Sequence, residues 1–428
     1  MAQVSNETMM NGNSWLRLAP TPEPRAAGIE WDVFVSYRSV NRNWAMALYD
    51  SLREAKFKVF LDQFVLPIGV EVEGFLRENL QSSASGVVVW SGDAATSEFV
   101  KGELATMRDL KRKRPNFRYV LAKLDTQELP FLEQNALYVD FTAYPEGPRG
   151  GELLRLMFGL LGRPLSDQAA REIHELDVAT SALIKKINAA KAAGSASLLV
   201  QLSQQQLMGI TSLPSAVLSE ALIELGENET ALQVIAQARQ VFPLALRLRQ
   251  LEALAYRRAK RIEDAQLILN ELYVEGHRDP ETLGILGATW MQRYKQERKL
   301  VYLEHSQARY QEAFRLSPES YYNGINAASK AALLGRNDEA RTLATAVLAL
   351  VKGYQNGGDY WATASHAEAR LLCGEYAEAA RLYRSAVVAH LTEAGSIGST
   401  RTQAEDLLRA LAVDDGTQQR ILAAFSLE

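Results

Sequence analysis

One cysteine in 428 residues, Cys373, leaves no partner for an internal disulfide, and a fold stapled by disulfide bridges is excluded. Such usage fits a reducing compartment. Histidine is nearly as scarce: His174, His277, His305, His366 and His390 all lie in the C-terminal two thirds, so the N-terminal region has no imidazole and no Ser-His-Asp triad. No G-x-x-x-x-G-K-[ST], G-x-G-x-x-G, H-E-x-x-H or paired C-x-x-C occurs, and with them go the P-loop, the dinucleotide fingerprint and the common zinc sites. No metal site is expected. A run of about 18 apolar residues is also missing, and residues 1–22 lack a basic stretch leading into an apolar one, so neither membrane spanning nor export is expected. The chain reads as cytoplasmic. Lys plus Arg is 47 against 51 Asp plus Glu, a net charge of −4, which argues against nucleic acid as a partner.

What is present is an ordinary globular composition, 47% apolar and 23% charged, whose character changes near residue 165. Residues 1–29, with Pro20, Pro22 and Pro24 among small polar residues, read as a flexible leader. From Trp31 short β-type runs alternate with helical ones. The runs are Val33–Val35, Phe57–Leu61, Gly86–Trp90, Tyr119–Leu124 and Ala136–Phe141, and Trp44, Leu48 and Leu52 mark a helix face at four-residue spacing. Short apolar strands alternating with helices predict a doubly wound parallel α/β sheet of five strands over 30–163. Ligands of such a sheet bind beyond the carboxyl ends of the strands. The residues expected there are Ser36, Tyr37 and Arg38 after strand one, Asp62 after strand two, Ser91 after strand three and Asp125 after strand four.

Past a helical linker, 164–200, the chain repeats over 201–428. Ala231, Ala265, Ala340 and Ala379 each close a similar stretch, as in Ala221-Leu-Ile-Glu-Leu-Gly-Glu-Asn-Glu-Thr-Ala231, and they stand 34, 75 and 39 residues apart. The middle gap holds two periods, with Ala313 and Pro318 matching Ala238 and Pro243. A period near 34, with small residues where two helices cross, resembles the tetratricopeptide repeat (TPR), and an all-α TPR-like solenoid is expected.

Trp31-Asp-Val-Phe-Val-Ser-Tyr-Arg38 resembles the first box of the Toll/interleukin-1 receptor (TIR) family. Val59-Phe-Leu-Asp62, Leu66-Pro-Ile-Gly69 and Val87-Val-Val-Trp-Ser91 follow in the family's order. The resemblance implies a flavodoxin-like five-stranded fold. NAD-cleaving members carry a glutamate one turn into the third helix, after a serine and an aromatic residue, and Ser97-Glu-Phe-Val-Lys-Gly-Glu103 is similar, with Phe99 where Trp is more usual. The resemblance therefore implies Glu103 as the catalytic residue, Ser97 and Phe99 beside it, and Arg38 at the position of an arginine in plant-type TIR enzymes. It also implies that neighbouring TIR domains complete each other's site through the loop containing Pro67. Ser320-Tyr-Tyr-Asn-Gly-Ile-Asn-Ala-Ala328 and Tyr360-Trp-Ala-Thr-Ala364 resemble the TPR-like TRAF-binding region of apoptosis signal-regulating kinases.

A single glutamate suits NAD cleavage. Nicotinamide leaves as a neutral base and needs no general acid, unlike the alcohol expelled by O-glycosidases. Positive charge growing on the ribose is what an ionised carboxylate can oppose. The expected reaction takes NAD as substrate, without a further cofactor, to nicotinamide plus ADP-ribose or a cyclic variant. Self-association would switch it on, in a bacterial anti-phage setting, with a protein or peptide trigger at the repeats. Other readings stand beside these. Asp62 also reads as a brace for its turn, Arg38 as a partner for a nearby carboxylate, and Phe99 and Trp90 as core. The run Lys111-Arg-Lys-Arg114 reads as a solvated face or a contact for acidic partners. The alternative for the whole chain is a non-catalytic TIR adaptor whose repeats bind a protein.

Overall fold

The computed structural model describes residues 15–61, 72–134, 138–204, 211–352, 359–391 and 394–426. The chain divides into two compact units, residues 1–268 and 269–428.

Unit one opens on the α/β domain. Strands β1 (Trp31–Ser36), β2 (Val59–Leu61), β3 (Ser83–Trp90), β4 (Arg118–Lys123) and β5 (Tyr138–Asp140) form one sheet in the order β2-β1-β3-β4-β5. Every pairing is parallel, with Val35 opposite Leu61 and Val87, and Val87 opposite Val120. This is the flavodoxin-like order expected from the sequence, and the five strands fall on the five predicted runs. Both faces are covered because the strands are apolar on both sides. Phe34, Phe60, Val88 and Leu121 turn to the face packed by helices α2 (Val72–Gln81) and α4 (Glu98–Lys113), through Leu76, Leu80, Val100, Leu104 and Met107. Successive side chains alternate, so Val33, Val35, Val87, Val89 and Val120 point the other way. All five are fully buried, on the side of α1 (Arg42–Glu54) and α5 (Gly150–Leu160). Between β3 and α4 lies a single short helical turn, α3 (Gly92–Thr96).

The expected linker contains α6 (Asp167–Ala192), a 26-residue helix capped by Ser166. Its Asp177 accepts a hydrogen bond from the Tyr144 hydroxyl at 2.9 Å and pairs with Arg149 at 3.4 Å, so it is tied to the loop between β5 and α5. Within residues 15–30, ahead of β1, Trp15 is fully buried and Arg17 pairs with Glu172 at 2.6 Å.

After α7 (Ala196–Ser203) come helix pairs. Those of unit one are α8 (Leu213–Glu224) with α9 (Asn228–Val241), followed by α10 (Leu246–Arg258) and the start of α11 (Ile262–Val274). Helix α1 of the sheet domain is covered by this set. Asp50, on α1, accepts from the Leu246 and Arg247 backbone N–H groups at 2.8 and 3.0 Å and so satisfies the exposed donors at the start of α10. Burial pushes its carboxyl up to about 6 in spite of those bonds and of Arg53 and Arg247 nearby. Glu54, one turn on and facing Ser212, is raised well above the usual carboxylate range by burial and then by the Asp50 charge.

Unit two holds α12 (Pro280–Glu297), α13 (Leu300–Leu316), α14 (Tyr321–Leu333), α15 (Asn337–Leu350), α16 (Tyr360–Leu372), α17 (Tyr376–Ala389), α18 (Ala394–Ala410) and α19 (Asp415–Leu422). Alanines Ala328, Ala331, Ala340, Ala344, Ala367, Ala369 and Ala379 dominate its core, which is why these helices approach closely. The marker alanines of the repeat are buried to 0 or 1% exposure, each in the first turns of a second helix. Five residues before each marker the backbone turns left-handed: Gly226 (φ 87°), Gly335 (φ 76°), Gly374 (φ 81°) and, without a glycine, Lys260 (φ 63°). Among the described residues no helix is long and apolar enough to cross a membrane.

Candidate active site

The carboxyl ends of β1 and β3 meet a set of small polar residues that begin the following helices. Ser91 follows β3 and caps α3, its Oγ accepting from the Ala94 N–H at 3.2 Å and donating to Asn41 Oδ1 at 2.8 Å. That bond ties the loop after β1 to the end of β3. Asp125, after β4, accepts from the Gly92 N–H at 2.8 Å and joins the third strand end to the group. Ser97 then caps α4, accepting from the Val100 N–H at 3.4 Å. Ser36 and Tyr37 are buried and Arg38 is exposed, its carbonyl accepting from the Asn41 N–H at 2.7 Å.

Helix α4 carries Glu103, and three devices set its position. One is the Ser97 cap. Another is a notch in β3: the Met107 side chain of α4 fills the space beside Gly86, its sulfur 2.7 Å from where a Cβ would lie. The third is Arg108, which forks onto buried Glu133 at 2.5 and 2.6 Å, while the Tyr119 hydroxyl donates to the same carboxylate at 3.2 Å. The hydrogen bonds from Arg108 to Glu133 raise the guanidinium pKa.

Glu103 is 8% exposed, and both its oxygens are shielded from solvent. Val100 and Leu104 beside it belong to the sheet core. Phe99, one turn before Glu103 on the same helix, is 39% exposed and so is not the core residue that one reading made it. Trp90 is core, and its indole N–H donates to the Glu128 carbonyl at 2.9 Å. Asp62 and the stretch Leu66–Gly69 with Pro67 lie outside the described residues. Ser36, Tyr37, Arg38 and Ser91 thus lie at the strand ends, while Ser97, Phe99 and Glu103 lie along the first turns of α4. Sequence reasoning missed Asn41 and the Arg108–Glu133 brace. The brace spans 25 residues with no periodic signal, so nothing in the sequence marked it.

The family model described as the TIR domain matches residues 33–154. Residues 33–154 are a TIR domain. In it, the polar cluster described above closes the carboxyl edge of the TIR sheet, the edge where ligands of doubly wound sheets bind. A second model, Tetratricopeptide Repeats-Sensor, matches residues 227–334, so a sensor-type TPR region follows the TIR domain. No curated protein matches the chain at a significant level. Among solved structures the chain is similar to a thermophilic TPR protein from Thermus thermophilus, at 21% identity, 44% of this chain, 96% of that one and a TM-score of 0.37. It is also similar to YrrB, a TPR protein described as having an unusual peptide-binding site, at 15% identity, 44% and 92% coverage and a TM-score of 0.30. A TPR protein from Parabacteroides merdae gives 14% identity, 57% and 98% coverage and 0.35.

Proposed function

We propose that the TIR domain hydrolyses NAD and that Glu103 is its catalytic residue. The observation that carries this reading is Glu103 itself: a buried carboxyl on a helix whose start is capped by Ser97 and whose far side is braced by the Arg108–Glu133 pair. A carboxylate kept from water opposes positive charge far more strongly than one in solvent. In the reaction the bond between ribose C1′ and the nicotinamide nitrogen breaks. Its electron pair stays on that nitrogen, which loses its positive charge and leaves as neutral nicotinamide. The cation left at C1′ is stabilised by the Glu103 carboxylate, water adds to C1′, and the water's proton passes to Glu103 and on to solvent. A ribose hydroxyl or adenine nitrogen in place of water gives a cyclic product. Arg38 is exposed beside the cluster and suits a phosphate, and Phe99 offers an open ring face to a base.

Shielding of Glu103 makes this form an off-state, since NAD reaches C1′ chemistry only after the surroundings of α4 open. Self-association of TIR domains is the switch we favour. Helix α1 is already occupied by α8 and α10 of the same chain, which leaves the other faces of the TIR domain for a second copy. A sensor-type repeat region joined to an effector that depletes NAD fits an anti-phage role, with a protein or peptide as trigger. The same shielding also favours the rival reading, a TIR adaptor without activity.

One experiment separates them. Concentrated full-length protein is incubated with NAD and nicotinamide release is followed, alongside the nearly isosteric E103Q, whose fold is checked by circular dichroism. The expected outcome is release that rises steeply with protein concentration and falls about a hundredfold or more in E103Q. Stable NAD at every concentration supports the adaptor, and release that continues unchanged in E103Q removes Glu103 from the catalytic role.

A further inference from the structure

A cavity of about 630 Å³ opens at the amino ends of the strands, the opposite pole of the TIR sheet from the candidate active site. It is lined by the starts of β1, β3 and β4, by the end of α4, and by the segment 22–29 that lies across it. The charges in its wall do not balance. Asp32 is engaged by Arg25 at 3.1 Å and by the Lys58 N–H at 2.6 Å, and Glu23 is paired with Arg163. Three further cations, Lys113, Arg114 and Arg118, reach the same cavity, and among the described residues none of them has a carboxylate partner. Arg114 stacks on the Phe117 ring with its guanidinium carbon 5.1 Å from the centroid, and its Nε and Nη2 donors find no acceptor there. Burial lowers its pKa, as expected for a cation held without a counter-charge. Arg118 donates to the backbone carbonyls of Pro115 and Phe117, which hold it in place and leave its charge uncompensated.

Cations in the last turn of a helix are ordinarily explained by the helix dipole. That accounts for Lys111, which lies over Tyr119, for Arg112 beside Asp109, and for the position of Lys113. It does not account for Arg114, turned onto an aromatic ring past the helix end, or for Arg118, which belongs to a strand.

We propose that this cavity is a second ligand site, for a small molecule that carries a phosphate or diphosphate. Three uncompensated positive charges match a dianion or trianion, whereas a single carboxylate would leave two of them unpaired. A planar guanidinium prepositioned by stacking supplies the bidentate contact that phosphate oxygens favour, and Lys113 adds a point charge. The volume lies within the range of small-molecule pockets, and Phe57, Phe117 and Leu160 give the ligand's uncharged part an apolar wall.

The test is titration calorimetry on the full-length protein with AMP, inorganic pyrophosphate, citrate and adenosine, on the parent, R114Q, K113Q and R38A. AMP and pyrophosphate are expected to bind saturably and adenosine not at all. R114Q is expected to weaken AMP by about tenfold to a hundredfold, the equivalent of one charge-assisted bond, and raising salt to weaken it further. K113Q, an exposed position that leaves the fold untouched, is expected to shift the affinity in the same direction and serves if R114Q fails to fold. Three results overturn the proposal: no saturable binding of either phosphate probe, AMP binding lost in R38A and unchanged in R114Q and K113Q, or citrate binding more tightly than both phosphates. Because the readout is binding at the far pole, it stands or falls apart from NAD cleavage.

Discussion

At the scale of single residues, the left-handed turns of the repeat are a controlled comparison. Gly374 sits at φ 81° with no atom within 4 Å of where a Cβ would be, so its glycine answers only to the backbone. An L-residue there incurs the left-handed cost, partly offset by a less flexible unfolded chain. G374A is expected to lose about 1 kcal/mol by denaturant unfolding. Lys260 already bears that cost at φ 63° in the equivalent place, so K260G is expected to gain about 0.5 kcal/mol or more. Opposite signs at two equivalent positions would establish the reading, and equal signs would refute it. The small residues were legible in the sequence because the repeat spacing exposes them. Lys260 was not, since side-chain type alone says nothing of a strained φ. Glu103 was legible as a motif, whereas its shielding was not, because Val100 and Leu104 beside it carry no sign of how deep the helix lies.

Among elements, the contact of α1 with α10 has a pH signature. Asp50 is raised from 3.8 to about 6 in the folded chain, so between those values the native state binds the proton that the unfolded state has released. Stability therefore falls as pH rises from about 4 to about 6, by an amount on the order of 3 kcal/mol for this group alone. Glu54, raised by the same burial and by Asp50 itself, acts in the same direction. Asn at position 50 keeps an oxygen to cap α10 and cannot ionise. D50N is expected to gain on the parent in thermal melts as pH rises from about 4 to about 7, and parallel profiles would exclude this assignment. Nothing in the sequence pointed here: the bond joins residues 196 positions apart, between a helix predicted for the sheet and one predicted for the repeat.

For the molecule as a whole, the question is where the TIR domain stops being self-sufficient. Family similarity ends at residue 154, yet Asp177 on α6 receives Tyr144 and Arg149, Ile173 lies against Gly151, and α10 covers Asp50. A chain ending at 163 leaves those groups facing water with buried carboxylates uncovered. It is expected to melt well below one ending at 268, with each kcal/mol lost lowering the midpoint by roughly 4 °C. Equal midpoints would show that α6 to α10 lend the sheet nothing. Fold class, strand positions and the repeat were readable from the chain alone, because alternation along a strand and a spacing near 34 are local patterns that each element must obey to bury its own face. Which carboxylates sit together, how α4 is braced, whether Glu103 meets water, and that three cations converge at the far pole were settled only by packing. Those relations join residues far apart in the chain, and no periodicity records them.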